Sequence, residues 1–487
     1  MDRGKGLSEL IYEYLKMRLY FQYFKKGEKL PSLETLCRTF CVVPQTVQAA
    51  LKKLSDEGAV SLHRGRCAIV TLNKSREELD AWSQHFFSQR KNTFADLYLS
   101  AELVFMPLLI KEFCRMDKKD FILLTRLASR AKSEDLIRFY CFILQKTENP
   151  LLMNLFWEIC LFLGVPYVRE GTPLYQLDSI RRQLLELIAF ARTSNTYQIF
   201  ETQLAFQDVS KNLTQYFSER IQSAPQSEQL SFVWHIYRNR TQICYNLVMR
   251  ILHEICSGEY NDGQLPVSYQ KLAEQYGVSV ITIRRTIDMT NQLGVTNTVN
   301  GKGTYVVSNT AGICEPKLDS PAIRRNIAIF FQAFELLTFT GAEVFQTMIP
   351  AFTAEKKGEL AALLQNLYYN GRCVFSLETC VYFIGVHAHL QSIREIYSGL
   401  YGLILWGYPV MAICENALET AEGNIQFTKT MIQALTSGDI KEIAAAVREL
   451  TDQELTVIKN YLLERGFTLD ELRLSAQFRL FPTELED

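Results

Sequence analysis

The chain has 487 residues, room for about two to four domains at roughly 100–200 residues each. Apolar residues make up 48% and charged residues 22%, an ordinary globular composition that excludes long disorder. Lys and Arg number 52 against 53 Asp and Glu, which excludes a uniformly basic nucleic-acid coat and leaves only a local basic patch open.

The N-terminal stretch lacks an apolar signal core. Residues 1–75 then read as helix, helix, turn, helix and two short strands, a winged helix-turn-helix. Gln45, Thr46 and Gln48 fall on the third helix, and His63-Arg64-Gly65-Arg66 forms the wing tip. Residues 76–240 show long amphipathic patterns with few strand signals, as do residues 311–487, so both are expected to be all-α.

Between them, residues 241–310 repeat the first pattern. With one residue inserted after Pro266, residues 265–306 align with residues 30–70 at a constant offset of 236. Leu272 meets Leu36, Thr282 meets Thr46, Gly294 meets Gly58 and Val306 meets Val70. Leu247, Ile251 and Ile255 recur at helical spacing, giving a first helix, and Tyr269 to Tyr276 gives a second. Gly277-Val278-Ser279 is the turn, with Ser279 as N-cap. Ile281 to Leu293 gives a third helix, which Gly294 stops. The β-branched runs TNTV and TYVV flank a Gly301-Lys302-Gly303 tip, a hairpin signal. The fold expected is therefore mainly α: two winged helix-turn-helix domains, each followed by an all-α bundle, by internal duplication.

A third helix of this kind fits the major groove of B-form DNA. The positions expected to meet DNA are Gln45, Thr46 and Gln48 in the first copy, with Arg64, Gly65 and Arg66 at its wing. In the second copy they are Ser279, Val280, Ile281, Thr282, Arg284 and Arg285, with Gly301 and Lys302 at the wing. A glycine at each tip lets backbone approach the narrow minor groove, with Arg66 or Lys302 facing phosphate. Residues 1–75 carry thirteen Lys and Arg against seven Asp and Glu, a net of +6, whereas residues 244–308 carry five of each. Phosphate contacts dominate affinity, so the first copy is the expected electrostatic anchor and the second has the better-furnished reading helix. The alternative is a scaffold or co-regulator whose winged helices bind protein, with DNA reading lost in the first copy.

The twelve cysteines include no CxxC pair, and several sit inside apolar helical patterns, as expected of free thiols in a reducing cytosol. Ile396 to Cys414 runs without a charge, long enough for a membrane span, but its three glycines and a proline favour a buried helix followed by a turn. A cytoplasmic protein with no membrane partner is expected. Aromatic groups such as Phe139 to Phe142, Phe156-Trp157 and Tyr382-Phe383 read first as helical core, and second as the lining of an apolar effector pocket. His387-Ala388-His389 is the one suggestive histidine pair. Two residues apart on a helix, the pair cannot share a metal. No P-loop, nucleophile–base pair or dinucleotide motif appears, so neither an enzyme nor a cofactor is expected.

Both repeats resemble the GntR family of bacterial transcription regulators, whose pattern runs LPSER-LA, VSR-TVR-AL, then glycine and a GxGT-V wing. Leu265-Pro266, Leu272-Ala273, Val278-Ser279, Thr282-Ile283-Arg284 and Gly301-Lys302-Gly303-Thr304-Tyr305-Val306 carry it in the second copy. Leu30-Pro31-Ser32, Leu36, Thr46-Val47, Ala50-Leu51 and Gly58 carry it in the first. Three arginines of that pattern are replaced by Glu34 and Gln270, by Pro44 and Val280, and by Gln48 in the first copy, leaving Arg284. Residues 133–152 and 431–450, the latter with Gly438-Asp439, resemble parts of the FadR-type effector domain. That resemblance implies an all-α effector bundle, a small-molecule effector and dimerisation. It implies no metal, because the subgroup's ligand positions hold Leu136 and Tyr140 and fall near Gln183 and Thr428. It also implies double-stranded DNA as partner. A doubled chain would be a covalent pseudo-dimer reading an asymmetric operator, open to further homodimerisation.

Overall fold

The computed structural model describes residues 7–40, 42–130, 133–167, 177–191, 221–236, 242–256, 259–260, 268–299, 303–307, 315–414, 418–438 and 440–473. They are mainly helical. In chain order come α1 (Leu7–Tyr20), α2 (Leu33–Phe40), α3 (Pro44–Asp56), β1 (Val60–Ser61) and β2 (Ile69–Val70). Then follow α4 (Arg76–Ser88), α5 (Lys91–Phe113), α6 (Lys118–Arg130), α7 (Ser133–Gln145), α8 (Pro150–Phe162) and α9 (Leu177–Ala191). After these come α10 (Gln242–Cys256), α11 (Tyr269–Tyr276), α12 (Val280–Gln292), β3 (Thr296–Val299) and β4 (Gly303–Val306). The remainder is α13 (Pro321–Met348), α14 (Ala354–Tyr369), α15 (Ser376–His387), α16 (Gln391–Ile404), α17 (Tyr408–Cys414), α18 (Leu418–Ser437), α19 (Ile443–Glu464) and α20 (Leu469–Leu472). Two compact units result: the described residues of Met1–Glu148 and Leu152–Asn239, and those of Asn149–Leu151 and Arg240–Ala476.

In the first unit, α1 packs on α3, burying Ile11, Leu15 and Leu19 with Val47, Ala50 and Leu54. Pro44 opens α3 at a position where a missing N–H costs no helical bond. Gly58 closes the turn after it at φ +71°, and Gly294 does the same after α12 at φ +82°. β1 and β2 pair antiparallel, Val60 opposite Val70. A third segment joins them: Lys29 bridges to Ile69, and the Leu30 N–H donates to the Ala68 carbonyl at 2.8 Å. Ser75 and Glu78 form a capping box that starts α4. Phe21, just past α1, stands ring to ring with Trp82, Phe86, Phe87 and Tyr167 at 5.2–5.8 Å. Buried Arg18 pairs with Glu134 of α7, which also accepts from the Tyr23 hydroxyl at 2.9 Å.

In the second unit, α13 is the central rod, packed on α16 and α19. Its N-terminal end and its middle are fastened by Arg324 to Glu471 at 2.8 and 2.9 Å, and by Arg473 Nη2 to the buried Glu335 carboxylate at 2.9 Å. The charge-free stretch from Ile396 to Cys414 is not one helix. α16 ends at Ile404, a 3-10 turn spans Leu405–Gly407, and α17 follows. The turn forms where backbone meets the α13 core, since a Cβ on Gly407 would lie 2.1 Å from the Phe330 ring. Two helices that the sequence reading passed over, α5 and α13, are long and apolar enough to cross a membrane by length and composition. The most apolar window of α13 is 83% buried within the structure and that of α5 50%.

Candidate nucleic-acid interface

In residues 7–70 the inward face of α3 is Val47, Ala50, Leu51 and Leu54, all buried. Helical periodicity then turns Gln45, Gln48, Ala49 and Lys52 outward, and all four are exposed. Thr46 lies half-buried at the flank, its N–H donating to the Val43 carbonyl at 3.1 Å. The wing tip is a turn closed by the Arg66 N–H on the His63 carbonyl at 3.1 Å, with Gly65 at φ +70°. A side chain at Gly65 would be strained by this left-handed backbone, although the space is open. Arg64 and Arg66 are exposed and have no ion-pair partner among the described residues.

Not all the positive charge of this segment faces outward. Lys16 pairs with Glu57 at 2.8 Å, Lys53 bonds Glu9, and Arg18 is buried against Glu134. The Lys16 ammonium and then the Tyr12 hydroxyl hold the Glu57 carboxyl below its usual range. The exposed cations in no ion pair among the described residues are Lys52 on α3 and Arg64 and Arg66 at the wing, together with Lys25, Lys26 and Lys29 between α1 and α2.

Residues 242–307 carry the same order of elements. Ile283, Thr286, Ile287 and Thr290 line the inner face of α12, and Ile281, Arg284, Arg285 and Asp288 are exposed on the outer one. Ser279 is also exposed, but its hydroxyl is committed. It accepts from the Thr282 N–H at 3.2 Å and bonds the half-buried Thr282 hydroxyl at 2.8 Å. These two residues build the helix cap. Val280 is half-buried beside them. β3 and β4 pair antiparallel from Thr296–Val306 to Val299–Gly303. A hydroxyl ladder stiffens the hairpin, with Thr290–Thr296 at 2.7 Å and Thr298–Thr304 at 2.9 Å. Gly301 and Lys302 lie outside the described residues.

The first helix of this segment, α10, is held by a buried carboxylate. Glu254 accepts from Arg250 at 3.1 Å, Tyr260 at 3.1 Å and Tyr276 at 2.6 Å. Burial, and then that carboxylate, raise the Tyr276 phenol above its ordinary value. On its other side α10 meets α16 and the 3-10 turn after it: the Tyr245 and Trp406 rings stand 5.7 Å apart, and His253 Nδ1 lies 2.7 Å from the Tyr401 hydroxyl. Arg372 donates to the Cys256 carbonyl at the helix end, at 3.3 Å.

Sequence reasoning missed Ala49 and Lys52 on α3 and Asp288 on α12. The signal was available: they stand four or seven residues after Gln45 and Ile281, on the same helical face. Of the aromatic groups, Phe139 and Phe383 are helical core, Tyr140, Phe142, Phe156 and Trp157 are half-buried, and Tyr382 is exposed. Phe139 is fully buried, Phe156 meets Phe105 edge-on at 5.6 Å, and Phe383 meets Phe352 at 5.4 Å. His387 ends α15 with its ring 4.4 Å from Phe383, and burial holds its imidazole below the ordinary value. Among the described residues no group of three or more His, Cys, Asp or Glu could hold a metal ion.

A helix-turn-helix with a basic wing is the architecture of a DNA-binding regulatory domain. Residues 7–70 match the family model described as "Bacterial regulatory proteins, gntR family", and they form a gntR-type helix-turn-helix domain at the N-terminal end of a mainly helical chain. A domain of this type, matched over residues 7–70, suggests a DNA-binding transcription regulator. Among solved structures, Streptococcus agalactiae GntR is 16% identical, covering 44% of this chain and 99% of its own, with a TM-score of 0.18. A structure described as "Lar controls the expression of the Listeria monocytogenes agr system and mediates virulence" is 14% identical, covering 46% of this chain and 98% of its own, with a TM-score of 0.19. At such TM-scores neither likeness carries an argument. No curated protein matches the chain.

Proposed function

We propose that this chain is a transcription regulator with two DNA-reading heads, residues 1–75 and 241–310, and two helical segments, 76–240 and 311–487, of FadR-like type. The observation that carries the reading is the matched outer face of α3 and α12. At an offset of 236, Gln45, Gln48, Ala49 and Lys52 correspond to Ile281, Arg284, Arg285 and Asp288, and all eight are exposed above a buried apolar face. Gln45, Thr46 and Gln48 read bases in the first head, with Arg64, Gly65 and Arg66 at phosphate and minor groove. Arg284 and Arg285 read or anchor in the second, with Ser279 and Thr282 setting the helix start and Gly301-Lys302 at its wing. Joining two unlike heads in one chain raises the effective concentration of the second and makes the preferred operator asymmetric. Binding of a small molecule within a helical segment would act by favouring one of two head arrangements.

The test is titration of the full chain against mixed genomic duplex at rising salt. DNA reading requires binding that weakens steeply with salt, and Arg284→Ala and the Arg64→Ala/Arg66→Ala pair must each reduce it. Salt-independent binding, or no loss in either variant, removes the assignment. The zero net charge of residues 244–308 favours, as second reading, a protein-binding role for that segment alone. In that case Arg284→Ala would leave DNA affinity untouched while the wing variant abolished it.

A further inference from the structure

We infer that α12 reads a thymine beside a guanine in the major groove, with Ile281 packed on the thymine 5-methyl and Arg284 bonded to the guanine edge. The inference rests on the DNA-reading function proposed above and names the bases that site selects.

Ile281 is 65% exposed in the first turn of α12, on the face shared with Arg284 and Arg285. A lone exposed isoleucine is unremarkable on a protein surface, so its neighbours decide the matter. The two hydroxyls of that turn, Ser279 and Thr282, bond each other at 2.8 Å. The outer surface of the turn is therefore the branched aliphatic chain of Ile281. Helix N-termini of this class meet base edges, and the apolar feature in the major groove is the thymine methyl. Three residues on, Arg284 is exposed and has no ion-pair partner among the described residues, as bidentate bonding to guanine O6 and N7 requires. A rise of about 4.5 Å over three residues spans between one and two base-pair steps of about 3.4 Å. The two contacts therefore fall on adjacent or next-but-one pairs. At the same offset, the first head presents Gln45 and Gln48, amides that suit adenine N6 and N7. The two half-sites thus differ in base identity.

The experiment begins by selecting duplexes from a random pool with the full chain. The half-site contacted by α12 is the one whose base preference relaxes in Arg284→Ala. Each thymine in the selected duplex is then replaced singly by deoxyuridine, which lacks only the 5-methyl. One replacement in that half should weaken wild-type binding about fourfold, the worth of one buried methyl. Ile281→Ala, confirmed folded by its far-UV spectrum, should bind the two duplexes equally, and Ile281→Val should retain part of the difference. Indifference of the wild type to every deoxyuridine overturns the inference, as does an undiminished penalty in Ile281→Ala. If duplexes are enriched and no methyl matters, only the Ile281 reading falls. If no duplex is enriched, DNA reading itself falls and this inference with it.

Discussion

Arg18 in α1 and Glu254 in α10 are the charged residues that the first helix of each segment turns inward. Both are buried, and each is answered differently. Arg18 reaches outside residues 7–70, to Glu134 on α7, under the ring of Tyr23 at 3.4 Å. Glu254 turns inward, to Arg250, Tyr260 and Tyr276 of its own segment. The sign reversal teaches that the same helical frame can be anchored by a charge pair across elements or closed on itself by hydroxyl donors. In the second case the link to the helical bundle passes to the Tyr245–Trp406 ring contact and to the hydrogen bonds of His253 with Tyr401 and of Arg372 with the Cys256 carbonyl.

Breaking the buried charges tests that contrast most severely. Arg18→Ala strands the Glu134 carboxylate and should cost about 3–5 kcal/mol in the first unit, read by denaturant unfolding. Glu254→Gln keeps the hydrogen-bond geometry and should cost the second unit about 1–3 kcal/mol, as should Tyr276→Phe. Equal costs at positions 18 and 254 would erase the distinction. On DNA, Arg284→Ala should lose about 1–3 kcal/mol and relax preference at one base pair. The Arg64→Ala/Arg66→Ala pair should weaken all sequences alike and flatten the logarithmic salt slope by about 2. A base-specific loss from the wing pair would reverse the roles assigned to the two heads. Where the segments agree, substitutions should agree too: Gly58→Ala and Gly294→Ala, at φ +71° and +82°, should each cost about 1–2 kcal/mol in melting experiments.

The smallest effect is expected in acid. The Arg324 guanidinium, followed by the Thr468 N–H, holds the Glu471 carboxyl down to about 2. A lowered folded value means the tie of α20 to α13 is fully present above the ordinary carboxylate range and is lost as pH falls through about 2. Amide exchange in residues 466–473 should therefore stay protected at pH 4 and open towards pH 2. Opening already at pH 4 would contradict that ion pair.

Much of the architecture was legible because it is local. Tyr269–Tyr276 was read residue for residue, since Ser268 and Gly277 punctuate it, and α12 was read one residue late at each end. The outer faces of the third helices were legible in part: Gln45, Gln48, Ile281, Arg284 and Arg285 are exposed, whereas Thr46, Val280 and Thr282 are half-buried and Ala49, Lys52 and Asp288 complete the faces. The third strand-like segment at Lys29 and Leu30 was missed because it is two residues long and abuts Pro31. The corner at Leu405–Gly407 was read only as a turn, since its cause is Phe330, far away in sequence. Arg18 gave no hint of its partner, which lies 116 residues on. The cap formed by Ser279 and Thr282 removed two hydroxyls that spacing had offered for base reading.

The seating of α10 against α16 has a practical corollary. Residues 242–307 look excisable on paper, yet Tyr245 lies against Trp406, His253 is shared with Tyr401 and Tyr382, and Met249 packs on Gly402 so closely that a Cβ there would lie 2.9 Å from its sulfur. Cutting after Val307 would wet that greasy flank along the length of a helix. A fragment so trimmed is expected to clump with its own copies, so residues 242–307 are best handled with the whole C-terminal half attached.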